Sequence, residues 1–191
     1  MTVILTDVDG VLLNWEYAFN TWMKHHGYEL QKDAHLNYDM HLRYGISAEE
    51  KSKLIKHFNE SAAIGFLPPL RDAVHYVQKL HREHGYIFHV ITSLSLDPSA
   101  QRLRTMNLQK LFGETVFERF VYLDTGADKD EALAEYKGSG LLWVEDKTEN
   151  AIVGKNLGLD SVLIEHGHNM KVTDVPLMKK WKDVYEYEVG L

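Results

Sequence analysis

The sequence predicts an α/β fold with a parallel sheet, on three observations. Short apolar runs alternate with segments of helical periodicity, the pattern of βαβ units with right-handed crossovers. Three of these runs finish on residues that can do chemistry: Asp7 and Asp9, Thr92 and Ser93, and Glu145 and Asp146. Ligands of such sheets bind beyond the carboxyl ends of the strands. A sheet needed only for structure has no use for carboxylates at two separate strand ends. Finally, residues 14–67, between the first two runs, read as helical and contain no buried strand, which makes them an insert beside the sheet.

Each element follows from local pattern. Val3, Ile4 and Leu5 form a strand buried on both faces. Trp15, Phe19, Trp22 and Met23 recur at helical spacing, with Gly27 as the stop. Residues 28–46 are mixed and polar. Ser47 and Glu50 make a capping-box pattern for a helix whose buried face is Leu54, Ile55 and Phe58. Pro68-Pro69 ends the insert. With Pro69 near its start, a helix carries Leu70, Ala73, Val74, Val77 and Leu80 and stops at Gly85. Tyr86–Ile91 is a second buried strand, and Asp97-Pro98 opens a helix bearing Ala100, Leu103 and Met106. Phe120–Leu123, Leu141–Val144 and Val162–Ile164 are three further strands. A short helix from Asp128 and one carrying Ala151, Ile152 and Leu157 connect them. From about Val175 the tail, with Leu177, Trp181, Val184 and Tyr185, reads as a last helix.

Composition narrows the functional classes. A chain of 191 residues, 45% hydrophobic and 26% charged, suffices for one sizeable core with a small accessory unit. A net charge of −7 argues against a nucleic-acid polymer as partner, since that needs a basic face. It does not argue against a small phosphorylated molecule, because bound Mg²⁺ and one lysine reverse the sign locally. The absence of cysteine removes disulfides, thiolate nucleophiles and thiolate zinc sites. No apolar run approaches membrane-spanning length, and the first residues enter a strand without a signal-peptide pattern. A cytoplasmic location without membrane contact is therefore expected.

The first strand end carries the sharpest chemical signal. Two acids one residue apart at the end of a buried strand repel each other and resist desolvation. A divalent cation compensates them, and hard carboxylate oxygens suit Mg²⁺. Gly10 lets the backbone turn sharply and lets a ligand approach closely. Lys129 stands in the first turn of a predicted helix, where the positive end of the dipole disfavours a cation. A residue that breaks local preference in this way points to a site. His166 and His168 have no third metal ligand at a fitting spacing and read as loop residues. Trp15, Phe19 and Tyr44 fit either the insert's own core or a surface on which substrate stacks.

Asp7-Val8-Asp9-Gly10-Val11 after a buried strand resembles the first motif of the haloacid dehalogenase (HAD) superfamily. Val90-Ile91-Thr92-Ser93 resembles the second motif, Lys129 the third, and Val144–Ala151 with its Glu145-Asp146 pair the fourth, in the family's order. The resemblance implies Asp7 as the nucleophile toward phosphorus and Asp9 as general acid and base. It implies Thr92 and Lys129 on the phosphoryl oxygens, and Mg²⁺ held by Asp7, the backbone oxygen of Asp9 and the Glu145-Asp146 pair. Many relatives carry Asp-Asp in the last motif. Here Asp146 is expected to bind directly, with Glu145 acting through another group. The implied architecture is a HAD-like Rossmannoid core, residues 1–13 and 68–191, with a small helical cap, residues 14–67.

Tyr38–Gly45 and Gly65–Val74 are similar to stretches of the 5′(3′)-deoxyribonucleotidases and their phage and bacterial relatives. The expected function is a Mg²⁺-dependent phosphomonoesterase that forms an aspartyl-phosphate and acts on (deoxy)ribonucleoside 5′-monophosphates. Gly10, Ser93, Lys129, Trp15, Phe19 and Tyr44 are the expected substrate contacts. A phosphatase of another small phosphometabolite, a phosphomutase of the β-phosphoglucomutase type and a non-catalytic phosphate-binding module are the alternatives. The sequence is also compatible with a homodimer.

Overall fold

The computed structural model describes residues 2–172 and 174–190. Their six strands form one parallel sheet in the order β3-β2-β1-β4-β5-β6. β1 (Val3–Thr6) is central, between β2 (Ile87–Ser93) and β4 (Leu142–Glu145). β3 (Phe117–Leu123) extends the sheet beyond β2; β5 (Asp160–Ile164) and β6 (Leu177–Met178) extend it beyond β4. Strand order therefore reverses between β1 and β4, which opens a crevice at their carboxyl ends.

β1 is apolar because it has no solvent face. Ile4 packs into the larger core with Val77 and Phe88, and Leu5 packs on the other side with Ile91, Leu133 and Trp143. Five helices accompany the sheet: α4 (Ala73–His84), α5 (Pro98–Phe112), α6 (Asp130–Ala134), α7 (Thr148–Asn156) and α8 (Trp181–Val189). The insert contributes α1 (Trp15–His25), α2 (Met40–Tyr44) and α3 (Ala48–Asn59), and no strand among its described residues. Phe19, Met23 and Phe58 of the insert join the same apolar cluster as Ile4 and Val8, so the insert shares the sheet's core. Its two ends lie side by side. Leu13 and Pro69 form an antiparallel bridge, and the Asn14 amide donates to the Pro68 carbonyl at 2.8 Å. Among the described residues, no helix is long and apolar enough to cross a membrane.

Four expectations are corrected. Leu177 belongs to β6, and the last helix begins only at Trp181; the edge of β5 takes a partner, with the Leu163 amide donating to Pro176 O at 2.9 Å. The helix placed after Pro69 begins at Ala73, because Pro69 is held in the bridge and Arg71 adopts φ +44°. Glu50 does not return to the start of α3: Ser47 Oγ accepts the Glu50 amide, but the Glu50 carboxylate accepts from Tyr28 Oη at 2.7 Å. The buried face of α5 is Ala100, Arg104, Asn107, Leu108 and Phe112, while Met106 is 41% exposed.

Candidate active site

The chemistry-bearing residues converge because their strands end together. Asp7 continues the line of β1, its amide donating to Val144 O at 2.9 Å, and Glu145-Asp146 follows from the neighbouring strand. Carboxylate oxygens of Asp7, Glu145 and Asp146 lie within 4.8 Å of one another. Lys129, at the N-cap of α6, reaches into them: its Nζ is 2.8 Å from Asp7 Oδ2 and 2.8 Å from Glu145 Oε2. The other oxygen of Glu145 accepts the amides of Asp146 at 3.0 Å and Lys147 at 3.1 Å. Both oxygens of Glu145 are thus engaged. Asp7 Oδ1 and Thr92 Oγ1, by contrast, are buried without a hydrogen-bond partner.

Three buried carboxylates against one ammonium leave an excess of negative charge. Burial, then repulsion from Glu145, pushes Asp7 up to about 6 despite the pull of Lys129. Burial and the Asp7 charge push Asp146 up to about 7, and burial raises Glu145 as well. Burial works against the charge on Lys129, but Asp7 and Glu145 hold the ammonium above the usual lysine range. The donor set is all oxygen, one buried oxygen is unpartnered, and the charge is unbalanced. These residues fit a hard divalent cation such as Mg²⁺. Gly10, at φ +75°, closes the site from the β1 side; a Cβ there would collide with Asp146 Oδ2.

Asp7, Asp9, Gly10, Thr92, Ser93, Lys129, Glu145, Asp146 and Trp15 all line one cavity of about 710 Å³. Phe19 and Tyr44 do not. They are 1% and 5% exposed in the insert's core, where Tyr44 meets Phe19 edge-on at 6.2 Å and donates from its hydroxyl to Asn20. The aromatic stripe of α1 packs on Phe58 instead. Ser93 Oγ donates to Ala127 O at 2.7 Å, and the Leu94 amide donates to Leu123 O at 3.0 Å, so that amide is not open to a phosphoryl group.

Several residues of the cavity wall escaped the sequence reading. Tyr38 lines the same cavity, where burial of its hydroxyl, followed by the charges of Asp146 and Glu145, raises it. His166 Nε2 donates to Gly10 O at 2.7 Å; His168 Nε2 lies 3.3 Å from Asp146 O, which also accepts from Asn169 Nδ2 at 2.9 Å. Burial pushes His166 down to about 4 and lowers His168, so both rings are neutral at pH 7. They brace the backbone at Gly10 and Asp146. The available signal was that His166 and His168 follow the carboxyl end of β5, on the same edge of the sheet as the other motifs. Asp9 pairs with Arg104 of α5, with Nη1 2.9 Å from Oδ1 and Nη2 donating to Oδ2 at 3.3 Å.

Comparison with known proteins places the fold. The chain matches no protein-family model. It is 25% identical over 150 residues to an uncharacterized 32.4 kDa protein of Enterobacteria phage T4, covering 75% of this chain and 53% of that one. The chain thus spans about half the length of this curated relative. Among solved structures, a HAD-like hydrolase family protein from Streptococcus pneumoniae superimposes with a TM-score of 0.66 at 14% identity, covering 98% of both chains. The D,D-heptose 1,7-bisphosphate phosphatase of B. bronchiseptica, complexed with magnesium and phosphate, gives 0.60 at 11% identity over 100% of this chain and 99% of that one. CbbY from Rhodobacter sphaeroides, in complex with phosphate, gives 0.61 at 16% identity over 96% of both. The fold is therefore the α/β fold with the HAD-like Rossmann core.

Proposed function

We propose that the protein is a HAD-type, Mg²⁺-dependent phosphomonoesterase working through an aspartyl-phosphate. The observation that carries this reading is Asp7 Oδ1: an unpartnered carboxylate oxygen, buried against Lys129 in a cavity that also holds the unpartnered Thr92 hydroxyl. Asp7 attacks phosphorus, so that an O–P bond forms as the ester P–O bond breaks, and Asp9 gives its proton to the departing alkoxide. Asp9 then takes a proton from the water that attacks the phosphoenzyme, which returns Asp7 and releases phosphate. Lys129 and Thr92 donate to the phosphoryl oxygens, where charge develops. Asp7, Asp146 and the backbone oxygen of Asp9 would hold Mg²⁺, which when bound neutralises phosphoryl charge. Residues 14–67 act as the cap and face the leaving group.

Metal binding makes a testable contrast. Asp7 and Asp146 titrate higher folded than unfolded, so their contribution to stability is complete below pH 3.8 and is lost as pH rises through about 6 to 7. The metal-free protein should therefore melt at lower temperature as pH climbs through this window. Mg²⁺, which binds the ionised form, should raise Tm more at pH 8 than at pH 5. Asp146→Ala should lose this Mg²⁺-dependent gain and Glu145→Ala should keep more of it, because both Glu145 oxygens are already engaged. Thermal melts with and without Mg²⁺ check this; the reverse order would make Glu145 the direct ligand.

The substrate class we assign is the nucleoside 5′-monophosphates. Trp15 and Tyr38 supply aromatic surface in the cavity wall. Of the three insert cations among the described residues that line the cavity, Arg43 and Lys51 are already ion-paired, with Glu16 and with Asp39 at 3.4 Å, which leaves Lys56 as the one insert cation on that wall to receive a second phosphate. A Mg²⁺-supplemented screen of phosphate release should give higher kcat/KM for nucleoside monophosphates than for hexose phosphates or phosphoglycolate. A tenfold advantage for either of the latter would overturn the substrate class and leave the hydrolytic chemistry in place.

A further inference from the structure

Arg104 is an arginine in the middle of α5 with no exposed surface. A buried guanidinium is costly unless it is paired, and nothing in the helix itself requires one there. Its Nε has no hydrogen-bond partner; Nη2 donates to Asp9 Oδ2 at 3.3 Å, and Nη1 lies 2.9 Å from Asp9 Oδ1 as an ion pair without hydrogen-bond geometry, so both terminal nitrogens lie against the Asp9 carboxylate. Asp9 in turn has no other side-chain partner among the described residues. The other buried residues of α5 are Ala100, Leu108 and Phe112, which are apolar, and Asn107, whose amide is directed to Leu67 O at 3.1 Å. The planar head of an arginine can lie against both oxygens of a carboxylate at once, whereas a lysine ammonium meets it as a point charge.

We infer that Arg104 is a positioning residue that holds the Asp9 carboxylate in place at the leaving-group side of the cavity, and that departure of poor leaving groups depends on it. This rests on the phosphomonoesterase reading. Proton transfer requires the acid within hydrogen-bond reach of the departing oxygen, and a displacement of about 1 Å costs on the order of 100-fold. An aryl oxide departs without a proton. Hydrolysis of the phosphoenzyme is common to all esters, so loss of Arg104 should penalise phosphoenzyme formation, read as kcat/KM, from alkyl esters and spare it from aryl esters, a selectivity that a merely structural role would not produce.

The test compares wild type, Arg104→Lys and Arg104→Met with Mg²⁺ on a nucleoside 5′-monophosphate and on p-nitrophenyl phosphate, with circular dichroism as the check on folding. Arg104→Met should lose about 30- to 100-fold in kcat/KM on the nucleotide and under about 3-fold in kcat/KM on the aryl ester, because kcat/KM reports formation of the phosphoenzyme and not its hydrolysis. Arg104→Lys should fall between wild type and Arg104→Met. Equal losses in kcat/KM on both esters in a folded variant, or no loss, would overturn the inference. If Arg104→Met does not fold, the ester ratio of Arg104→Lys decides, and an unchanged ratio overturns it. Wild type inert toward both esters would overturn the phosphomonoesterase reading and this inference together, whereas active wild type with an unchanged ester ratio in the variants overturns the inference alone.

Discussion

Asp7→Asn is expected to lower phosphate release by at least about 1,000-fold while leaving the fold intact. The carboxamide has the shape of the carboxylate, and the backbone link from the Asp7 amide to Val144 is untouched. Its carbonyl oxygen can keep the Lys129 contact now made at 2.8 Å, which places the amino group where the unpartnered oxygen stood. The nucleophile is lost with little change in shape. One of three mutually repelling carboxylates also disappears, so the metal-free variant should melt no lower than wild type at pH 8. Retention of a tenth of wild-type turnover in a clean preparation would exclude Asp7 as the attacking group.

The second large effect is expected from Lys129→Met. Lys129 is the cation in contact with Asp7 and Glu145, at 2.8 Å from each. Breaking a buried pair by removing one partner costs about 3–5 kcal/mol, because the remaining charge is left without compensation. Here two carboxylates are left. Both already titrate above their ordinary values through burial, and without the ammonium they shift further in the same direction. Because the folded values exceed the unfolded ones, the variant can relieve itself by taking up protons at low pH, and its deficit should widen as pH rises. Denaturant titrations at pH 5 and pH 8 should show the larger loss at pH 8. Equal stability of variant and wild type at pH 8 would mean that the ammonium does not hold these charges together.

How much of the site could be read beforehand follows from what each residue had to disrupt. Asp7, Asp9, Glu145 and Asp146 stand out because they break apolar runs that a buried strand otherwise requires. Lys129 stands out because it opposes a helix dipole. Arg104 breaks nothing visible: in a helix with polar residues on several sides, an arginine reads as solvated, and periodicity assigns the buried face to Ala100, Leu103 and Met106. Its reason for being buried lies 95 residues away, at Asp9. Asn107, whose amide donates to Leu67 O at 3.1 Å, displaced the pattern in the same way. β6 is two residues long, too short for any period to register. Phe19 and Tyr44 were legible as an aromatic stripe but not as core or contact surface, since helical spacing is the same for both.

The bridge between Leu13 and Pro69 has a consequence for how such a protein can diversify. The chain departs from the sheet and returns to it at one point, so the excursion between them behaves as a loop whose ends are already closed. Doubling the length of a flexible loop costs only about 0.6 kcal/mol. Asp7, Asp9, Lys129 and Asp146 all lie outside the excursion, while Trp15, Tyr38 and Arg43 inside it line the same cavity. Insertions in the turns of residues 14–68, away from Phe19, Met23 and Phe58, which share the sheet's core, can therefore be inherited without displacing Asp7. On the proposed reading, the reacting groups lie outside the excursion and part of the cavity wall lies within it, so selection can revise that wall while leaving the reacting groups alone.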